Sequence, residues 1–113
     1  MKKEPELFIE HMLASIELIE KYAFNKTEDD FLDSEFFQDA IIRRIEIIGE
    51  AAKNVPLDIK QSYPEIPWSE IVRMRDKLAH HYFGIDLPRA WKVVKNDLPQ
   101  LKSQILKIKQ SLH

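Results

Sequence analysis

Between residues 35 and 55 the apolar side chains Phe37, Ile41, Ile45, Ile48, Ala52 and Val55 recur every three or four positions, a spacing that an α-helix turns onto one face. Asp39, Arg43, Glu46, Glu50 and Lys53 fall on the opposite stripe. The segment therefore predicts a helix over 35–54 with one buried and one charged side. Gly49 interrupts this pattern from within. A mid-helix glycine costs about 1 kcal/mol against alanine, so its place predicts the close approach of another backbone. The charged stripe has two readings. Its i,i+3 and i,i+4 neighbours can form ion pairs on a solvated face, each contributing about 0.2–0.5 kcal/mol, or the stripe can stand beside an active site.

The remainder of the chain keeps the same period. A first helix is expected from Pro5 to Phe24, with Phe8, Met12, Ile16, Ile19 and Ala23 on one stripe, widened by Ile9, Leu13 and Leu18. That breadth implies burial against two neighbours, from the same chain or from a second subunit. Residues 25–34 read as a connection in which Thr27 or Ser34 can cap the next helix. Pro56, Pro64 and Pro67 bracket a segment, 57–62, with room for a short helix. A third long helix runs from Trp68 to Tyr82 with Gly84 as its stop. Asp86 caps another helix, with Pro88 in its first turn and Ala90, Trp91, Val94 and Leu98 inward. Pro99 marks a kink or a break, and Leu101, Ile105, Ile108 and Leu112 carry the last helix. No stretch alternates like a strand. The expected fold is all-α, a single domain over 1–113 built as a four- to five-helix bundle.

Composition narrows the function classes. With 113 residues and no cysteine, disulfides and thiolate metal sites are excluded. The N-terminal stretch is broken by Glu6, Glu10, His11 and Glu17, so it reads as neither a signal peptide nor a membrane span, and a cytoplasmic address is expected. A net charge of −2 gives no global attraction to nucleic acid. The charge is segregated, however: residues 28–39 hold six acids and no base, whereas residues 71–95 hold six Lys or Arg against Asp76 and Asp86. Such a basic patch suits an anionic ligand, an RNA contact or an acidic partner.

Chemistry concentrates in residues 71–84, IVRMRDKLAHHYFG. Asp76 and His80 stand at i,i+4, so a carboxylate can orient an imidazole. Arg75 and Tyr82 lie about two turns apart on another face. Five residues at about 100° each put Arg75 and His80 roughly 140° apart on an ideal helix. For both to act on one phosphate, the helix must unwind near His80, the Arg75 side chain must wrap around it, or a second subunit must complete the site. Metal-free phosphodiester chemistry fits these types: a histidine moves protons at the 2′-hydroxyl or the leaving 5′-oxygen, and a guanidinium stabilises the phosphoryl oxygens. An Arg–Asp salt bridge and a helix-capping histidine are the structural alternatives.

The pattern Arg75, four residues, His80, one residue, Tyr82 resembles the Arg-x4–6-His-x-Tyr signature of the HepT-like toxins of the HEPN superfamily. The stretches IIRRIEIIGEAAKNVP at 41–56 and PEIPWSEIVRMRDKLAHHYFGID at 64–86, with Trp91 and the DLP at 97–99, extend the likeness over most of the chain. The resemblance implies a homodimeric HEPN-type bundle whose two motifs face each other across a cleft and form a metal-independent ribonuclease site, without a cofactor. It implies Arg75 and His80 as the catalytic pair, Asp76 as a supporting residue, and Tyr82 as the tyrosine to which a minimal nucleotidyltransferase antitoxin attaches AMP. Arg43 and Glu50 are expected to line the cleft, with His81 as a further lining residue. Asp76, where the family often has asparagine, and His81, where it often has a small residue, depart from the pattern. A non-catalytic subunit that holds nucleotide or substrate for a nucleotidyltransferase is the alternative function. A metal-binding bundle using Glu46, Glu50, Asp76 and His80 lacks the Glu-x-x-His pairs of di-iron bundles.

Overall fold

A computed structural model describes residues 4–80 and 86–112, with the backbone alone for residues 4 and 78–80. The elements in order are α1 (Glu4–Ala23), α2 (Glu28–Leu32), α3 (Glu35–Asn54), α4 (Leu57–Ser62), α5 (Trp68–His80), α6 (Leu87–Lys92), a π-helical turn (Val93–Asp97) and α7 (Leu98–Ser111). Helices α6 and α7 run on through the π turn, so four long rods make an all-α bundle of HEPN type and α2 and α4 are links. The expected end of the third helix at Tyr82 and its stop at Gly84 lie outside the described residues.

Local chemistry accounts for most boundaries. Asn25 takes a left-handed conformation (φ 59°) just past α1, a place where asparagine is tolerated. Thr27 then accepts from the Asp30 N–H while the Asp30 carboxylate accepts from the Thr27 N–H, a reciprocal cap. Those hydrogen bonds, led by the backbone N–H of Thr27, hold the Asp30 carboxyl below its usual range. Ser34 caps α3 by accepting from the Phe37 N–H at 3.1 Å. Asp86 does the same for α6 through the Arg89 N–H.

Pro99 neither breaks nor ends the last rod. The residue ahead of it, Leu98, donates to the Val93 carbonyl five residues back. A widened turn of this kind gives a proline ring room against the preceding turn, where a regular helix would clash. The helix stays continuous because Val93, Val94 and Leu98 are buried on its inner side.

Helix α1 packs against both α3 and α7. Its broad apolar face is thus accounted for by two neighbours from the same chain. Lys102 of α7 reaches Glu20 of α1 at 2.8 Å on the rim of that contact. Phe31, in the segment that reads as a connection, is fully buried. It stacks on Trp91 at 5.3 Å and meets the edge of Phe37 at 5.4 Å. Ahead of α5, Ile66 is buried and the Trp68 indole N–H donates to the Tyr63 carbonyl at 3.1 Å. This knot sets the start of α5 and, through it, the position of Arg75.

Helix α3 is the inner rod, packed on α1 and on α5, and Gly49 sits where α5 crosses it. A Cβ built there would fall 2.7 Å from Arg75 Cγ, closer still to Arg75 Cβ, and 3.3 Å from the Ile71 carbonyl oxygen. The close approach expected at this glycine is present. Ala at 49 would be favoured by helix propensity, by about 1 kcal/mol. The collision with the root of the Arg75 side chain outweighs that gain. Gly49→Ala is therefore expected to destabilise the protein by roughly 1–3 kcal/mol in urea unfolding, against the sign of its propensity.

Candidate functional site

Arg75 stands one helical turn beyond Ile71 on the face of α5 that meets α3. Its stem fills the space that Gly49 leaves open. The guanidinium is carried past the contact to the charged stripe of α3, where Nη2 lies 3.3 Å from Glu50 Oε2. Nη1 donates to Asp76 Oδ1 at 3.1 Å. The Arg75 Nε–H is buried and has no acceptor among the described residues. The side chain as a whole keeps 28% of its surface exposed, and Glu50 and Asp76 keep about half of theirs. Water therefore screens both pairs.

Beside the guanidinium lies an open recess of about 190 Å³ at the junction of α1, α3 and α5. Arg43, Glu46 and Glu50 form one wall, Arg75 another, and Phe8 and His11 of α1 a third. The α3 stripe lines this pocket, and one of its members, Glu50, is half-exposed and ion-paired. Glu50 reaches across to Arg75, and Arg43 and Glu46 form no ion pair with each other or with any other described residue. A cation and a carboxylate thus stand unpaired at i,i+3 on the pocket edge.

The structure brings together Arg75, Arg43 and Glu50, with Asp76 joined to the group through Arg75. Asp76 has one oxygen, Oδ1, engaged by the guanidinium. The backbone of α5 remains α-helical through His80. The side chain of His80, and all of His81 and Tyr82, lie outside the described residues. Phe8 and His11 carry no signal in the sequence that assigns them to the site. They stand at i,i+3, so they share a helix face, but only the pairing of α1 with α3 brings that face to the pocket.

Among the described residues no group of three His, Cys, Asp or Glu side chains could hold a metal ion. No described helix is long and apolar enough to cross a membrane. The described residues form an all-α bundle that holds a guanidinium between two carboxylates at an open pocket. Residues 12–108 match the sequence model of the family described as "Ribonuclease HepT-like", and the chain belongs to that family. A Thermococcus cleftensis protein named "Probable ribonuclease HepT" is 47% identical over 97% of this chain and 100% of its own length. A Methanocaldococcus jannaschii protein named "Gamma-glutamylcyclotransferase and putative RNase" is 55% identical over 99% of this chain. The chain spans half the length of that relative. A protein from Caldanaerobacter subterraneus named "Putative RNase" is 35% identical over 96% of each chain. No solved structure gives a match.

The geometry separates packing from charge at Arg75. Glu50→Gln removes a screened ion pair and is expected to change unfolding free energy by less than about 1 kcal/mol. Arg75→Ala also strips the buried stem from α3, so its cost in urea unfolding should be clearly larger. In a double-mutant cycle the Glu50–Arg75 coupling should stay below about 1 kcal/mol.

Proposed function

We propose that the chain is a metal-independent endoribonuclease, the toxin of a cytoplasmic toxin–antitoxin pair, in which Arg75 and His80 act on the scissile phosphate. In this reading His80 takes the proton of the ribose 2′-hydroxyl as its oxygen attacks the adjacent phosphorus, or returns a proton to the departing 5′-oxygen. Arg75 stabilises the charge on the phosphoryl oxygens, with donors aimed at the site in advance. Glu50 and Asp76 position the guanidinium and yield to the phosphate on binding. Arg43 adds an unpaired cation at the mouth.

The observation that carries the reading is the fixed position of Arg75. Its stem is seated on Gly49 and α5 is regular through His80. On an ideal helix, positions five residues apart point roughly 140° apart. Unwinding ahead of His80 is absent, and wrapping of the arginine around α5 would lift its stem out of the contact with α3. A second copy that contributes the complementary residue would answer the separation, and the resemblance to the HepT-like family favours it, so the active form in this reading is a homodimer with the two motifs across a cleft. Family membership and the names of the relatives support the choice of RNA as substrate.

The test is cleavage of single-stranded RNA by the purified protein, free of any partner, in EDTA. Activity is expected in the unmodified protein. His80→Ala should lower it by at least about a hundredfold with unchanged helical circular dichroism. Full activity in that variant would exclude His80 as the proton carrier, and a nucleotide-holding subunit would then be the better description.

The same reading assigns Tyr82 as the site where a minimal nucleotidyltransferase antitoxin attaches AMP. Phosphate charge beside a phosphate-binding cation repels and occludes RNA. Intact mass after incubation with ATP and such an enzyme should show additions of AMP size, which Tyr82→Phe should lose. An unaltered pattern of additions would move the target to another residue.

A further inference from the structure

Phe8 and Glu46 line the pocket without a part in the phosphate chemistry, and Arg43 stands beside them at its mouth. Arg43 and Glu46 are one turn apart on α3, close enough for opposite charges to pair. Neither makes an ion pair or side-chain hydrogen bond with any described residue. Glu46 is half-buried and lines the recess. Phe8, also half-buried, turns an aromatic surface to the same recess. A space of about 190 Å³ takes a single ring system and not a helix or strand.

We propose that this recess is a nucleobase subsite selective for guanine. Glu46 accepts the paired N1–H and N2–H donors of the base, Arg43 donates to O6 or N7, and Phe8 supplies a stacking surface. Among the four bases guanine alone sets two adjacent N–H donors on its Watson–Crick edge, the match for the two oxygens of a carboxylate, and the acceptors beside them suit a guanidinium. Adenine and cytosine set one amino group beside an acceptor nitrogen, which a carboxylate repels. Uracil sets one N–H between two carbonyls. That edge is free only in an unpaired strand, where bases are read by stacking and by hydrogen bonds of this kind. The inference rests on the reading of Arg75 as the phosphate contact, since the recess adjoins its guanidinium and a nucleotide would span both.

The test is binding, which needs no turnover. Guanosine, adenosine, cytidine and uridine 3′-monophosphates are titrated into the full chain by calorimetry. The guanosine nucleotide is expected to bind about tenfold more tightly than the other three. Glu46→Gln, which keeps size but replaces one acceptor by a donor, should bring the ratio below about threefold. Arg43→Ala should lower it as well. Equal affinities for the four nucleotides in the unmodified protein overturn the proposal, and so does a guanine preference that neither variant changes. Either result leaves the ribonuclease reading standing, because that reading fails on a different measurement, the cleavage of RNA and its loss in His80→Ala.

Discussion

The contact between Gly49 of α3 and the root of Arg75 on α5 fixes the site more firmly than any hydrogen bond within it. The missing Cβ lets the Arg75 stem lie directly on the backbone of the inner helix. That single omission has two consequences. The guanidinium is delivered to a set position by packing rather than by a loop, and its Nε–H is sealed away from water without a partner among the described residues. A buried donor left unsatisfied costs about 1–3 kcal/mol. The burial of the aliphatic stem, one charge-assisted hydrogen bond to Asp76 and a screened ion pair to Glu50 offset it. A lysine would reach a similar place but could not fork between Glu50 and Asp76.

The charges around this cation explain why a protein of net charge −2 can still meet a polyanion. Glu50 and Asp76 pair with Arg75, and Glu46 adds a further carboxylate to the lining beside Arg43, so the pocket carries acids as well as cations. Attraction at a distance falls to the basic run over 71–95 and is screened within about 10 Å at ordinary salt. Close to the pocket, the carboxylates on Arg75 are half-exposed and weakly held. In the proposed reading they keep the guanidinium pointed and would be displaced at small cost by a phosphate.

The parts of the molecule legible in sequence are those governed by neighbours a few residues away. The helix over Glu35–Asn54, the caps at Thr27, Ser34 and Asp86, and the close approach at Gly49 all rest on local periodicity or on a single residue whose cost demands a reason. The role of Phe31 is not legible, because its burial depends on Trp91, sixty positions along the chain. Pro99 reads as a kink or a break in sequence. Its accommodation in a π turn depends on Val93, Val94 and Leu98 being buried. Arg43 and Glu50, expected at the cleft, do line the pocket with Arg75. Phe8 and His11 escape a sequence reading since their helix meets α3 through contacts that local spacing does not encode.

The regularity of α5 bears on how such a site can work at all. On an ideal helix, a motif with four residues between cation and imidazole disperses its chemistry around the axis. The usual remedies are a local break in the helix or a long mobile side chain, and here the helix runs on and the side chain is seated. In the proposed homodimer, closure of the site would pass from conformation to association. A two-fold axis would make the two motifs equivalent, and mass action would govern the formation of the shared site, so that activity per chain would rise with the concentration of the chain.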